Sequence, residues 1–398
     1  MPTTRRWFLA SVGTVTAALA HWRSAAVAQV RALGGPVSGY GNRSRFERAL
    51  RLFPNTRTPE ATASLAPLRD SFGIITPSAL HFERHHGGVP EIDPAAHTLM
   101  IHGLVDRPLV FSMDELKRLP SVSRILFIEC SGNSSSEWLG AVGPTVQRTH
   151  GLTSCCEWTG VWLSTLLREC GVRANASWLL AEGADAVRMA RSLPLDKAMN
   201  DVLIAYAQHG EALRPEQGYP LRLVVAGWEG NISVKWLRRI EVLDGPAMTR
   251  WETARYTDLM PDGKARQFTF VMDAKSVITS PSGGDTLRGA GVYEISGLAW
   301  SGRGAIRRVD VTTDGGVTWT PAELQSPALP HAHTRFRWSW RWDGRDALLG
   351  SRCEDETGYV QPRRQDLVRA RGANSGYHQN GIQVWRVAAT GAVTNGNA

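Results

Sequence analysis

The stretch FIECSGNSSSEW, Phe127 to Trp138, places one thiol at the end of a short apolar run and follows it with small polar residues. Ile125–Glu129 reads as a strand, so Cys130 stands where a strand-to-helix connection would hold it against a ligand. A structural cysteine is usually buried and inert. Cys130, set among serine, glycine and asparagine, calls for a chemical reason.

Upstream, Ser112 and Glu115 in FSMDELKRLP form a capping box that opens a helix, and Pro120 ends it. Downstream, WLSTLLRECG predicts a helix closed by Gly171. SWLLAEGAD, DVLIAYA, PLRLVVAG and ISVKWLRRIEVL supply strands up to about Leu243. Short strands and short helices alternate without the rhythm of a doubly wound sheet, which predicts an α+β domain over residues 76–250. Beyond it, GVYEISGLAWSG, AIRRVDVTTDGGVTW, TRFRWSWRW and GIQVWRVAATG alternate with period two between Gly, Asp and Asn turns. That pattern predicts an immunoglobulin-like β-sandwich over residues 251–398, with a hairpin at TDGGVTW. Several of the 15 tryptophans fall in these strands, and the stripe in TRFRWSWRW reads as core.

Residues 29–75 are polar and arginine-rich and read as an extended arm. The first 28 residues read as a twin-arginine signal peptide: Arg5 and Arg6 precede Trp7, Phe8 and Leu9, and AVA ends at Ala28. Their apolar run is too short and broken to be kept as a membrane span. Export of the folded protein to the periplasm is the expectation, and it suits a cofactor inserted beforehand. The formal net charge of the 398-residue chain is +8; removing Arg5, Arg6 and Arg23 with the signal leaves 42 basic and 37 acidic residues, or +5. A mild excess with no basic run excludes a nucleic-acid binder and suits an acidic protein partner.

Five cysteines in an exported chain of this size do not form a disulfide scaffold. Cys155 and Cys156 are neighbours whose bridge would be strained, and Cys170 lies on an apolar helix face, so these three read as packing. Four segments carry chemistry: FERHHGGVP with Phe82, Arg84, His85 and His86; FIECSGN with Cys130; AEGAD with Asp185; and the run containing Gln217, Arg222, Ser233, Val234 and Lys235. No second Cys or His stands at zinc-ligand spacing from Cys130. A cysteine nucleophile with His85 or His86 as base would leave the cations unexplained. A thiolate together with cations suited to phosphate fits a soft ligand for a metal carried by a phosphorylated organic group.

These residues resemble the sulfite oxidase family of molybdenum enzymes, and within it the molybdenum subunit of sulfane dehydrogenases. The family's Cys-(Ala/Ser)-Gly-Asn segment stands here as ECSGN. The likeness runs from SGYGNRSRFE through GIITPSALHFERHHGGVP, THGLTSCCEWTGVWLSTLL and KSVITSPSGG to NSGYHQNGIQVW, nearly the whole chain after the signal. The resemblance implies Cys130 as the thiolate ligand of molybdenum in a molybdopterin cofactor. It also implies Phe82, Arg84, His85, His86, Asp185, Gln217, Arg222, Ser233, Val234 and Lys235 as its binding segments. His85 replaces the family's asparagine, and Gln217 stands where a histidine is common. Tyr256 in TARYTDL aligns with the family's active-site tyrosine, and Arg371 in RARGANS with an arginine for the substrate anion.

The resemblance further implies a homodimer within a hetero-oligomer, a sulfur-carrier protein as substrate, and a c-type cytochrome subunit as electron acceptor. The chain itself carries no C-x-x-C-H haem site. Oxidation of carrier-bound sulfane sulfur is the leading expectation, and oxidation of free sulfite the alternative. A methionine-sulfoxide reductase of this type would lack the long C-terminal β region, and a non-catalytic adhesion protein would hold no molybdenum.

Overall fold

The computed structural model describes residues 35–54, 58–140 and 142–396; the expected signal peptide lies outside them. The described residues fall into two units, 35–48 and 49–396. In the first, residues 35–48 contain no helix or strand, and all are exposed. Among the described residues every helix and strand belongs to the second unit, and no helix is long and apolar enough to cross a membrane.

Two five-stranded sheets make the α+β half. One runs Glu211–Ala212, Val202–Gln208, Thr153–Trp162 and Val122–Glu129, with Arg222–Val225 also paired to Val202–Gln208; all these pairs are antiparallel. The other runs Leu109–Ser112, Thr98–Gly103, Leu237–Leu243, Trp178–Gly183 and Ala190–Pro194, and only the pair Thr98–Gly103 with Leu237–Leu243 is parallel. Successive strand residues face opposite sides, so Val202–Gln208 feeds two cores. Val202 and Ile204 enter one with Leu99, Leu166, Leu179 and Ile240, while Leu203 and Ala205 enter the other. The helix Met113–Arg118 begins with the expected Ser112–Glu115 capping box, and Leu163–Cys170 ends on Gly171 at φ 70°.

The sandwich comes next along the chain. Lys275–Ser280, Gly291–Trp300, Thr334–Trp342 and Glu323–Leu324 form a four-stranded sheet. Thr320–Pro321, Ile306–Thr312, Ala347–Asp355, Val384–Val387 and Val393–Gly396 form a five-stranded one. The hairpin expected at TDGGVTW joins Ile306–Thr312 to Thr320–Pro321 through Gly315 and Gly316, both at positive φ. In Thr334–Trp342 the alternation holds from Phe336 onward: Phe336, Trp340 and Trp342 are buried and Trp338 half-buried, while Arg337, Ser339 and Arg341 are exposed; before it Thr334 and Arg335 are both buried. Phe336, Trp300 and Trp385 belong to the same core as Phe127, Cys155 and Trp158, so one apolar interior runs from the sandwich into the first half. Of the stretch expected as an arm, Leu65, Ala66 and Leu68 are buried and Ala63–Ser64 pairs with Glu83–Arg84.

Cys130 opens a connection that passes through turns and the 3-10 segment Ser135–Trp138 to the short helix Val146–His150, after which the chain returns as the antiparallel strand Thr153–Trp162. One expectation is corrected: ISVKWLRRIEVL is not one strand, since regular pairing starts only at Leu237, after Trp236 adopts φ 52°. Ser233, Val234 and Lys235 therefore lie on a loop.

At the end of Val122–Glu129 sits a buried ion pair. Lys275 Nζ lies 2.6 Å from Glu129 Oε1, and Trp300 Nε1 donates to Glu129 Oε2 at 2.7 Å. Both charged side chains are essentially without solvent. Removing one member of such a pair strands the other charge and typically costs about 3–5 kcal/mol. Lys275→Met is accordingly expected to lower unfolding stability by about that amount in urea titration, and adding Glu129→Gln should recover part of the loss.

Candidate active site

Glu129 is the last residue of its strand, and its anchoring fixes the loop that carries Cys130. Asn133 Nδ2 donates to Glu129 Oε1 at 2.9 Å, and the Asn133 N–H bonds Cys130 O at 2.8 Å. Cys130 N–H is tied to Leu152 O at 3.0 Å, and Ser131 O accepts from His378 N–H at 2.8 Å. Gly230 N–H reaches Glu129 O at 2.6 Å, and a Cβ there would stand 2.8 Å from that oxygen. Only glycine permits this approach, which brings Asn231 over the loop, its Nδ2 3.1 Å from Ser131 Oγ.

Cys130 opens onto a cleft. Its walls include Phe82, Arg84, His85, His86, Asp185, Gln217, Arg222, Ser233, Val234, Lys235 and Tyr256, so these expected residues are brought together. Arg371 does not line the cleft. It is buried against Asp258 and Asp273, at 3.7 and 3.8 Å. The sequence reading missed Asn231, Met189 and Trp236 on the cleft wall.

Lysine and arginine side chains gather in the cleft, and their hydrogen bonds go mainly to backbone carbonyls rather than carboxylates. Lys235 Nζ donates to Glu216 O at 3.0 Å, to Arg84 O at 3.4 Å and to His85 Nδ1 at 2.9 Å. Burial, reinforced by Arg222, pushes the Lys235 pKa well below its ordinary value. Arg222 donates to Gln217 O at 2.9 Å and Ser233 O at 3.1 Å, and its guanidinium stacks over Trp158 at 4.8 Å. Burial brings its pKa down to about 9. Asp185 and Glu216 offset this only in part, and desolvated cations in such a setting favour the arrival of an anion.

His85 is held neutral, its pKa lowered to about 3 by burial and by Lys235. Its Nδ1 accepts from Lys235, which leaves Nε2–H to donate to Glu83 Oε2 at 2.7 Å. Asp185 is spent on structure in part, since Oδ1 accepts from Met189 N–H at 2.9 Å and shapes the turn. His86 Nε2 lies 2.8 Å from the Tyr256 hydroxyl. Burial, with Arg84 next, lowers His86 to about 3, while burial raises Tyr256 above the usual phenol value. The pair is therefore neutral across the physiological range. Burial also raises the Cys130 thiol, so a thiolate there would form on binding a metal, with release of a proton. The other four cysteines are buried and free of disulfides.

Comparison with known proteins matches this arrangement. Residues 86–251 match the oxidoreductase molybdopterin binding domain, and residues 266–385 the Mo-co oxidoreductase dimerisation domain. The crystal structure of the sulfane dehydrogenase SoxCD from Paracoccus pantotrophus superposes with a TM-score of 0.90 at 48% identity, covering 92% of this chain and 96% of that one. Mitochondrial sulfite oxidase of Rattus norvegicus is 33% identical over 322 residues, 76% of this chain. The NAD(P)H nitrate reductase of Hordeum vulgare is 33% identical over 302 residues. The chain spans 58% of the rat protein's length and 34% of the barley protein's. With both domain types in order and such likeness along its length, the chain belongs to the sulfite oxidase family of molybdenum oxidoreductases.

Proposed function

We propose that this chain is the molybdenum subunit of a sulfane dehydrogenase, working in the periplasm after twin-arginine export. The observation that carries the reading is the 48% identity over 92% of the chain to the sulfane dehydrogenase structure. Electrons would leave to a c-type cytochrome subunit, and the sulfur would be presented on a carrier protein. Oxidation of free sulfite is the second reading, favoured by the 33% identity to the rat sulfite oxidase.

The donor set fits a molybdopterin. Lys235 and Arg222 would hold its phosphate end, Asp185 and Gln217 would hydrogen-bond the pterin, and Cys130 would supply a soft thiolate to the metal. When bound, the group supplies two-electron oxidation with transfer of a water-derived oxygen to sulfur. The protein's part is orientation and charge. Arg84, on the cleft wall, would hold an anionic sulfur substrate. Arg371, which does not line the cleft, would then serve at most from behind its wall. The neutral His86–Tyr256 pair offers a hydroxyl that can donate to the reacting oxygen or pass a proton.

Three outcomes test this. Purified Cys130→Ser is expected to fold with unchanged melting temperature, to lose sulfur-oxidising activity and to contain far less molybdenum by elemental analysis; full activity would refute the thiolate assignment. Lys235→Met relieves a desolvated charge but gives up the bonds to Glu216 O, Arg84 O and His85 Nδ1, so it should stay folded with a melting temperature at or below the parent's. It should nevertheless retain less pterin after gel filtration, read as the fluorescence of the released, oxidised cofactor. Finally, kcat/KM for a thiol-bound sulfane should exceed that for free sulfite; the reverse order would put the sulfite reading first.

A further inference from the structure

Arg191 is a buried charge with no task in the chemistry above. It lies on the strand Ala190–Pro194, is 1% exposed, and does not itself line the cleft. Its Nη2 donates to Glu229 Oε1 at 3.0 Å, its Nη1 donates to Asn231 Oδ1, and its Nε stands 3.8 Å from Glu252 Oε1. Among the described residues Nε has no hydrogen-bond partner. The guanidinium carbon lies 5.0 Å from the centroid of the Tyr256 ring.

Each anchor is itself held. Glu229 Oε2 accepts from Asn231 Nδ2 at 2.8 Å and faces His378 Nε2 at 3.4 Å. Glu252 Oε2 accepts from Ser192 Oγ at 3.1 Å and from Thr249 N–H at 2.9 Å, the latter closing the cap of the short helix Arg250–Thr253. That helix delivers Tyr256, whose φ of 54° is strained for a side-chain-bearing residue. Tyr377 packs against the ring from elsewhere, at 5.3 Å between centroids. Burying a guanidinium with two carboxylates is an expensive way to fill space, since apolar packing of similar volume is often neutral or better. A planar fork holds its donors in fixed directions, which a compact ammonium on a flexible stem does not. This cluster stands directly behind the phenol that faces Cys130's cleft.

We infer that Arg191 is a positioning residue: clamped by Glu229, Glu252 and Asn231 against the Tyr256 ring, it fixes where the phenol hydroxyl stands beside His86 in the cleft. The inference rests on Tyr256 acting in the reaction as proposed above, but its geometry can be read without any reaction.

The test uses Arg191→Lys, which keeps a charge for Glu229 and loses the fork. With 3-fluorotyrosine at position 256 in the cofactor-free chain, the fluorine resonance should shift and broaden in Arg191→Lys. Glu252→Gln, which loosens the clamp while leaving Arg191 paired with Glu229, should move it in the same direction by less. In the loaded enzyme Arg191→Lys should lower kcat by about tenfold to a hundredfold with little change in KM, as misplacement of a reacting group does. Placed on Tyr256→Phe, the same substitution should add almost nothing, because both act through one hydroxyl. A fluorine resonance unmoved by both variants overturns the inference. So do losses that multiply in the double variant. If Tyr256→Phe is itself fully active, the role given to Tyr256 fails, and the fluorine shift still decides whether Arg191 sets its ring.

Discussion

The site depends on one buried contact, Glu129 with Lys275 and Trp300. Glu129 ends the strand that carries Cys130, whereas Lys275 and Trp300 belong to two paired strands of the sandwich. A carboxylate stripped of water must find its partners or neutralise, and here they come from the other half of the chain. Satisfying this one charge therefore fixes the cysteine loop relative to the sandwich. Asn133, bonded to the same carboxylate, and Gly230, bonded to the Glu129 carbonyl, extend the constraint to the loop and to the far wall of the cleft. The shared apolar interior, with Phe127 beside His333 and Trp300 beside His333, supplies the close packing that keeps water from the pair.

Against that rigid corner the cleft is electrostatically incomplete. Lys235 and Arg222 are desolvated and lie among carbonyls, and each is pushed toward its neutral form by burial. An anionic cofactor would relieve both at once, which is how a preformed cation pocket turns a cost in the empty protein into binding energy. Burial likewise disfavours the Cys130 thiolate, a cost that binding a metal there would offset. His86 and Tyr256 are arranged differently, already paired and neutral, so on their side of the cleft the fold presents a hydroxyl rather than a charge.

Much of this was legible in the chain because periodicity and caps are local. The alternation in TRFRWSWRW, the Ser112–Glu115 box and the Gly171 stop each depend on a few adjacent residues, and each is present. The cleft residues were legible where they sit in short runs, such as Phe82–His86 and Ser233–Lys235. Ile232–Trp236 misled because its β-forming residues are held on a loop by tertiary contacts, among them Val225 N–H on Ser233 Oγ at 3.1 Å. Arg191, Glu229, Glu252 and His378 were invisible for the same reason: four charged or titratable residues from four separate segments become one cluster only in the fold. A charged residue inside the otherwise compact strand ARSLP was the single local hint.

The central claim is that the fold, not the cofactor, fixes the cysteine loop. Native-state amide hydrogen exchange on the cofactor-free chain tests it most directly. The account predicts that the N–H groups of Cys130, Asn133 and Gly230 exchange as slowly as those of the strand Val122–Glu129. Exchange as fast as in exposed turns, slowing only when cofactor is added, would show that the ligand builds the site and would contradict the account.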